Sequence, residues 1–362
     1  MTTTSNARLS RRTALKLGGA AAVVLAMPNI VRAQGGPLKV GTYGGYFQSS
    51  FEKHVFPDFT KATGIAIESI GEPTGEAWLV QVEQAARAGV APADVSMMAQ
   101  VPLLKGMTTD LWTPLDLAKM PNTANVKPEY INKYSDGRIA GIGAVTWYIT
   151  LVTNTNVFPK PPTSWKALWD PANKDRVGLL ALVSNSFLLE ITAKTYFGGT
   201  DFLSSDESIL KVMDKIAELK PNVKLWYRDE AQFEQALKSW EIPMGQYYHD
   251  VTGLAVADGH PVRSTFPVEG GVNDGGSWAV SRASTMVDNA HAFIDYMCKP
   301  ETQALLSRKV GTSPTVKREI LDLSPEEFAS VSSDIPPIIP RYDLYQAKSD
   351  WLNQKWTELI VG

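Results

Sequence analysis

Lys39–Phe56 reads KVGTYGGYFQSSFEKHVF. A β-prone run ends at Tyr43, the pair Gly44–Gly45 follows, and from there Phe47, Phe51, Val55 and Phe59 recur at every fourth position. That spacing places the four side chains on one helical face, so the stretch predicts a strand, a tight turn and a helix. Pro57 should kink or restart the helix because it has no N–H to donate, and Gly64 should end it. The alternation continues. IAIESI (65–70) reads as a strand, EAWLVQVEQAARAG (76–89) as a helix and ADVSMM (93–98) as a strand. Strands alternating with helices imply an α/β fold with mixed, mostly parallel sheets flanked by helices, and ligand sites at the carboxyl ends of the strands. Thr42, Tyr43, Gly44, Gly45 and Tyr46 sit at such an end.

Residues 1–33 are expected to be a removable leader. Arg11 and Arg12 lie in SRRTALK, an apolar run follows from Leu17 to Met27, and Val31-Arg32-Ala33 precedes Gln34 as a small-residue cleavage site. The run is shorter than the about 20 apolar residues that a membrane span requires. The expected route is twin-arginine export to the periplasm. No lipid-bearing cysteine can follow cleavage, since Cys298 is the only cysteine.

The chain has 35 basic and 38 acidic residues, and five of the basic ones (Arg8, Arg11, Arg12, Lys16, Arg32) lie in the leader, so the remainder is acidic. An acidic body argues against nucleic acid and anionic membrane as partners. Cys298 lies in a helical pattern and reads as a buried small hydrophobe. Four histidines are few for a zinc protein or a histidine-dependent enzyme; His54 and His291 read as surface or packing residues, and His249 and His260 stay open. Gly41-Thr-Tyr-Gly44-Gly45 is not a dinucleotide fingerprint, and no phosphate loop, His-Glu-x-x-His pair or nucleophile elbow occurs. No cofactor is expected, and no catalytic set is visible.

What remains are recognition residues near strand ends. Gln100 follows ADVSMM, Tyr247 and Tyr248 precede Asp250, and Asn273, Asp274, Ser277 and Trp278 lie among glycines. Glycines let a ligand approach the backbone, and aromatics supply flat apolar walls. Trp112, Trp165, Trp169 and Trp356 are assigned to packing. The length of 362 residues exceeds one compact core, so two domains of about 150 residues are expected, with no linker between them.

TYGGYFQSSFEKHVFPDFTKATGI, PPTSWKALWDPANKDRVGLL, PVEGGVNDGGSWAVSRASTMVDNAHAFIDYMCKPETQALLS and YQAKSDWLNQKWTELI occur in the order found in one known family. From about residue 38 onward the chain resembles the type II solute-binding proteins of ABC importers, in the spermidine/putrescine-binding-like branch. The resemblance implies a two-lobed fold with a hinge. One small solute is captured between the lobes and handed to an ABC permease in the inner membrane, without chemistry. It implies crossings near 141–152 and 263–272 and a third beyond GTSPTV. Lobe 1 would then comprise 37–143 plus 272–320 and lobe 2 144–271 plus 321–362, in a monomer. It places ligand contacts in the opening loop; Gln100, Trp147, Ser184, Asn185, Tyr247, Tyr248, Asp250, Asn273 and Asp274 are the further candidates.

Polyamine binders of this branch carry an acid where this chain has Gly276, with Asp274 two residues earlier, and another near Gly44–Gly45. A polyamine or other organic cation is ranked first. A small organic anion or zwitterion, such as an aminophosphonate, comes second, held by backbone N–H groups at Gly44–Gly45, Ser184–Ser186 and Gly275–Gly276. Ferric iron on Tyr247 and Tyr248 comes third, without the opening histidine of related iron binders. An enzyme or sensor domain on the same fold is the alternative of another class.

Overall fold

The computed structural model describes residues 36–73, 76–228 and 230–361. The leader, with Arg11 and Arg12, lies outside the described residues, as does the side chain of Tyr46. Strand β1 (Leu38–Tyr43) leads through Gly44 and Gly45 into the helix Tyr46–His54. Gly45 has φ 73°, a left-handed conformation that a Cβ would strain. The helix breaks at Val55 and restarts as Phe56–Thr63, with Pro57 in its first turn, where a missing N–H costs nothing. Gly64, left-handed at φ 76°, closes it by donating its N–H to the Thr60 carbonyl at 2.8 Å.

The remaining strands are β2 (Ile67–Glu72), β3 (Val95–Ala99), β4 (Ile131–Lys133), β5 (Ile139–Asn154), β6 (Val177–Leu180), β7 (Val223–Tyr227), β8 (Met244–Tyr248), β9 (Val262–Thr265) and β10 (Val272–Val280). They form one mixed sheet in the order β2-β1-β3-β10-β5-β8-β6-β7, with β4 and β9 paired to β5. Both wings are parallel, β1 with β2 and β3, and β6 with β7 and β8. The centre is antiparallel, because β10 runs back between β3 and β5 and β8 lies against the far half of β5.

β5 serves two cores. Its Ile142, Ala144 and Val145 pack with Leu38, Val40, Phe51, Phe293 and Trp278, whereas Ile149, Leu151 and Val152 pack with Trp165, Leu179, Phe233, Met244 and Trp356. β10 makes the reverse passage, with Val272 in the second core and Trp278 and Val280 in the first. A third passage lies between Val316 and Ile338, which belong to the first and second cores respectively. Aromatic edges bind the first core: Trp278 meets Phe293 at 5.0 Å and Phe51 at 6.0 Å between ring centroids. Such pairs contribute about 0.5–1.5 kcal/mol each beyond area burial. Trp112, Trp165 and Trp356 are buried and Trp169 packs against the second core, as their assignment to packing anticipated. Cys298 is buried too, and burial pushes its thiol up.

Candidate solute site

Asp274 stands in β10 directly opposite Trp147 of β5, where both strands pass between the cores. Its Oδ1 accepts the Tyr342 hydroxyl at 2.5 Å and the Gly275 N–H at 2.7 Å, and the Trp147 side chain also donates to the carboxyl. A carboxylate offers about four lone-pair positions, so three donors orient it and leave little more than one for a ligand. Burial pushes Asp274 above the usual aspartate range, and the three donors pull it part of the way back.

Tyr342 opens the helix Tyr342–Val361, and a buried acid holds that first turn in place. Glu190 accepts the Arg341 N–H at 2.8 Å and the Tyr345 hydroxyl at 2.7 Å. Phe187 meets both tyrosine rings edge-on at 6.4 Å. Burial raises the Glu190 carboxyl above its ordinary value, opposed by the same two hydrogen bonds.

Two cavities adjoin Asp274. The larger, about 240 Å³, is walled by the helix Gln100–Thr108 through Gln100 and Lys105, by Ser184, Asn185 and Phe187, and by Tyr342 and Tyr345. The smaller, about 110 Å³, is lined by Glu129, Tyr130, Asn132, Thr146 and the run from Asn273 to Ser277. Both would hold several water molecules or a short aliphatic body. The polar groups here are pre-set. Gln100 donates to Asn132 at 2.6 Å, Asn132 to Ser277 at 2.9 Å, and Tyr130 to Asn273 at 2.7 Å.

Tyr43 stands one layer behind. Its ring meets Phe47 at 5.9 Å and Trp147 at 6.3 Å, both edge-on. Its hydroxyl is buried, without a hydrogen-bond partner among the described residues, and lies 3.0 Å from where a Cβ on Gly276 would stand. Burial, then the negative charge of Glu72 and Asp274, push this phenol well up, so it stays neutral, with an oxygen that can accept. Beneath it is a second acid. The Glu72 carboxyl fills the space left by Gly41, where an added Cβ would lie 1.9 Å from Oε1, and that oxygen has no partner among the described residues. Burial raises Glu72 well above the carboxylate range, against hydrogen bonds from Ser96 and the Met97 N–H.

Of the residues expected from sequence, Gln100, Ser184, Asn185, Asn273 and Asp274 line the cavities, and Trp147 and Tyr43 back them. Thr42 is fully buried, while Gly44 and Gly45 form an exposed turn. A Cβ at Gly45 would meet nothing within 4 Å, so its φ, and not crowding, requires glycine. Tyr247 is in the second core, 2% exposed, with its ring edge-on to Phe233 at 5.5 Å; Tyr248 is half-buried, and neither lines either of the two cavities beside Asp274. A ring packed in a core is poorly placed to present a phenolate to iron. Asp250 lies in the first turn of the helix His249–Ala257, away from both cavities. His249 stands 2.8 Å from the Ser264 hydroxyl against the Phe266 ring, and burial lowers its pKa. No cluster of three or more His, Cys, Asp or Glu suited to a metal occurs among the described residues. Sequence reading missed Tyr342, Glu190, Glu72 and Glu129.

Residues 55–330 match the family model of the bacterial extracellular solute-binding proteins, and the chain belongs to that family. The γ-aminobutyric acid-binding protein of Pseudomonas aeruginosa is 24% identical over 299 residues, covering 81% of each chain. The spermidine/putrescine-binding periplasmic protein of Escherichia coli is 25% identical over 215 residues, 59% of this chain and 60% of that one. Among solved structures, the Agrobacterium tumefaciens PBP AttC in its open unliganded conformation superposes with a TM-score of 0.75 at 19% identity, over 90% of this chain and 100% of that one. The spermidine/putrescine ABC transporter substrate-binding protein PotD of Streptococcus pneumoniae gives 0.70 at 19% identity, over 90% and 98%. At these identities the structural likeness is one of fold, the two-lobed binding-protein architecture.

Proposed function

We propose that this chain is the periplasmic solute-capturing component of an ABC importer and that its solute is a small aliphatic amine, the ammonium resting on Asp274. The oriented Asp274 carboxylate, beside the rings of Trp147 and Tyr43, carries this reading. An ion pair to a half-buried carboxylate favours an ammonium. Asp274 is the one acid lining the larger cavity, whereas Lys105, Ser184 and Asn185 line it elsewhere. A second ammonium there would meet a like charge, and a carboxylate would meet a cation and hydrogen-bonding groups. The solute that fits is thus an amine with an acidic far end, an ω-amino acid. The names of the γ-aminobutyrate- and polyamine-binding relatives agree with an amine.

In this reading the protein returns its ligand unchanged and acts as a monomer. Its lobes are 37–143 plus 272–320 and 144–271 plus 321–362; the division of β5 and β10 between two cores supports such an alternation, with the changeover after Val145 in β5 and after Val272 in β10. Arg11 and Arg12 direct export by the twin-arginine route; replacing both by lysine should leave precursor in the cytoplasm on cell fractionation. The solute is tested by calorimetric titration of the ligand-free protein with γ-aminobutyrate, putrescine and γ-hydroxybutyrate. The first should bind most tightly. Binding of the hydroxy acid with equal affinity would remove the ammonium from the account.

A further inference from the structure

The hydroxyl that Tyr342 donates to Asp274 is aimed from two sides. The helix Leu188–Tyr196 carries Glu190 in its first turn, and that carboxyl accepts the Arg341 N–H at 2.8 Å and the Tyr345 hydroxyl at 2.7 Å. Just before this helix Phe187 adopts φ 49° and ψ 23°, a left-handed conformation that bulky residues rarely take. The Gln246 side chain pins the bend by donating to the Ser186 carbonyl at 2.6 Å. What this costly backbone provides is the buried Phe187 ring, set edge-on against both Tyr342 and Tyr345. Strain held in place by its surroundings clusters at binding sites. Phe187 thus fixes the Tyr342 ring, and Glu190 fixes the turn that carries it.

We infer that Tyr342 is a positioning residue of the solute site: mounted on Phe187 and Glu190, its hydroxyl holds Asp274 in the charged form and leaves the carboxyl's freer oxygen to an ammonium. This rests on the proposal that the solute is an amine held at Asp274. The Tyr342 hydroxyl and the Gly275 N–H both sit on Oδ1, which makes Oδ2 the less occupied oxygen. A hydrogen bond to a carboxylate favours its ionised form, and the bond from Tyr342 is the largest of those that oppose burial here. The other ionisable groups near Asp274 are Tyr43 from β1 with Glu72 behind it, Lys105 from the helix Gln100–Thr108, and Glu129 and Tyr130 ahead of β4. The test therefore reads Asp274 itself as well as binding.

Wild type, Tyr342→Phe and Glu190→Gln are followed across pH. NMR of the ligand-free protein reports ionisation at the Asp274 carboxyl carbon, assigned by its loss in Asp274→Asn, and calorimetry reports the affinity for γ-aminobutyrate. In Tyr342→Phe both midpoints should rise. Affinity should then fall by about tenfold between the old and new midpoints, the low end for a hydrogen bond to a charged group, and recover at higher pH. Glu190→Gln offers one accepting oxygen in place of two and should move both midpoints the same way by less. A tyrosine that only packs would lower the melting temperature and leave the midpoints alone. Unmoved midpoints in Tyr342→Phe overturn the proposal, and a Glu190→Gln variant that matches wild type overturns the mount. If the NMR midpoint moves while γ-aminobutyrate fails to bind wild-type protein, the amine reading falls and the control of Asp274 by Tyr342 stands.

Discussion

The rings of Tyr43 and Trp147 meet edge to face, 6.3 Å apart at 70°, while the Tyr43 hydroxyl beyond them is buried without a partner among the described residues. An unsatisfied buried hydroxyl lowers stability unless a ligand completes it. Tyr43→Phe should therefore leave the thermal melt of the ligand-free protein within about 1 kcal/mol of wild type, or raise it, since only an unpaired group is removed. Amine affinity should fall by about 1.5–3 kcal/mol, the range for a hydrogen bond to a charged group. Melting curves beside calorimetric titration read both. A lower melt with unaltered affinity would make the hydroxyl structural.

The raised pKa of Asp274 gives ligand binding a pH dependence of definite sign. Only the ionised carboxyl attracts an ammonium. Affinity should fall as pH drops, through a value above the ordinary aspartate figure of about 3.9. Asp274→Asn should bind weakly throughout and lose this dependence. Titrations at stepped pH check it, and an asparagine variant that keeps the wild-type profile would assign the titration to another group.

Glu72 links pH to folding rather than to binding. Its carboxyl is held well above the ordinary value by burial, so the folded state prefers it protonated. The stability this provides is full below the unfolded glutamate value, about 4.3, and is lost as pH rises from there toward the folded value. Glu72→Gln keeps the shape and removes the titration. Urea unfolding across that window should give a flatter profile than wild type, with the variant the more stable at the alkaline end.

Glu190 fastens the turn that carries Tyr342. Glu190→Ala leaves the Arg341 N–H and the Tyr345 hydroxyl without their acceptor and empties space in the second core. A loss of about 2–4 kcal/mol in urea unfolding is expected from these combined effects. Glu190→Gln can still accept, and should lose less.

The opening strand, turn and helix were legible because local signals suffice for them. A period of four, a proline at the restart and a glycine at the stop are all short-range. The crossings near 141–152 and 263–272 followed from the family resemblance; β5 changes core inside the first stretch, whereas β10 does so between Val272 and Trp278, beyond the second. Much of the site was not legible, because its partners are distant in sequence. Tyr342 reaches Asp274 across 68 positions and Arg341 reaches Glu190 across 151. Glu72 falls just beyond the IAIESI run with nothing local to mark it for burial, and the missing side chain of Gly41 on the neighbouring strand makes room for it. Tyr247 and Tyr248 are equivalent by sequence. Successive strand residues face opposite ways, and nothing local says which one faces the core.

The placement of β10 also sets the order in which a newly made chain can finish. β3 and β5 emerge early from the ribosome, but the strand that joins them appears only after β6, β7, β8 and β9 have been synthesised. Until then the nascent chain carries two unpaired edges and an incomplete first core, the features that invite wrong pairing between chains. The second core cannot close first either, because it waits for Ile338 and the final helix. A chain halted before Val272 is thus an open sheet with no half-protein in it, because each core is completed only by residues made later.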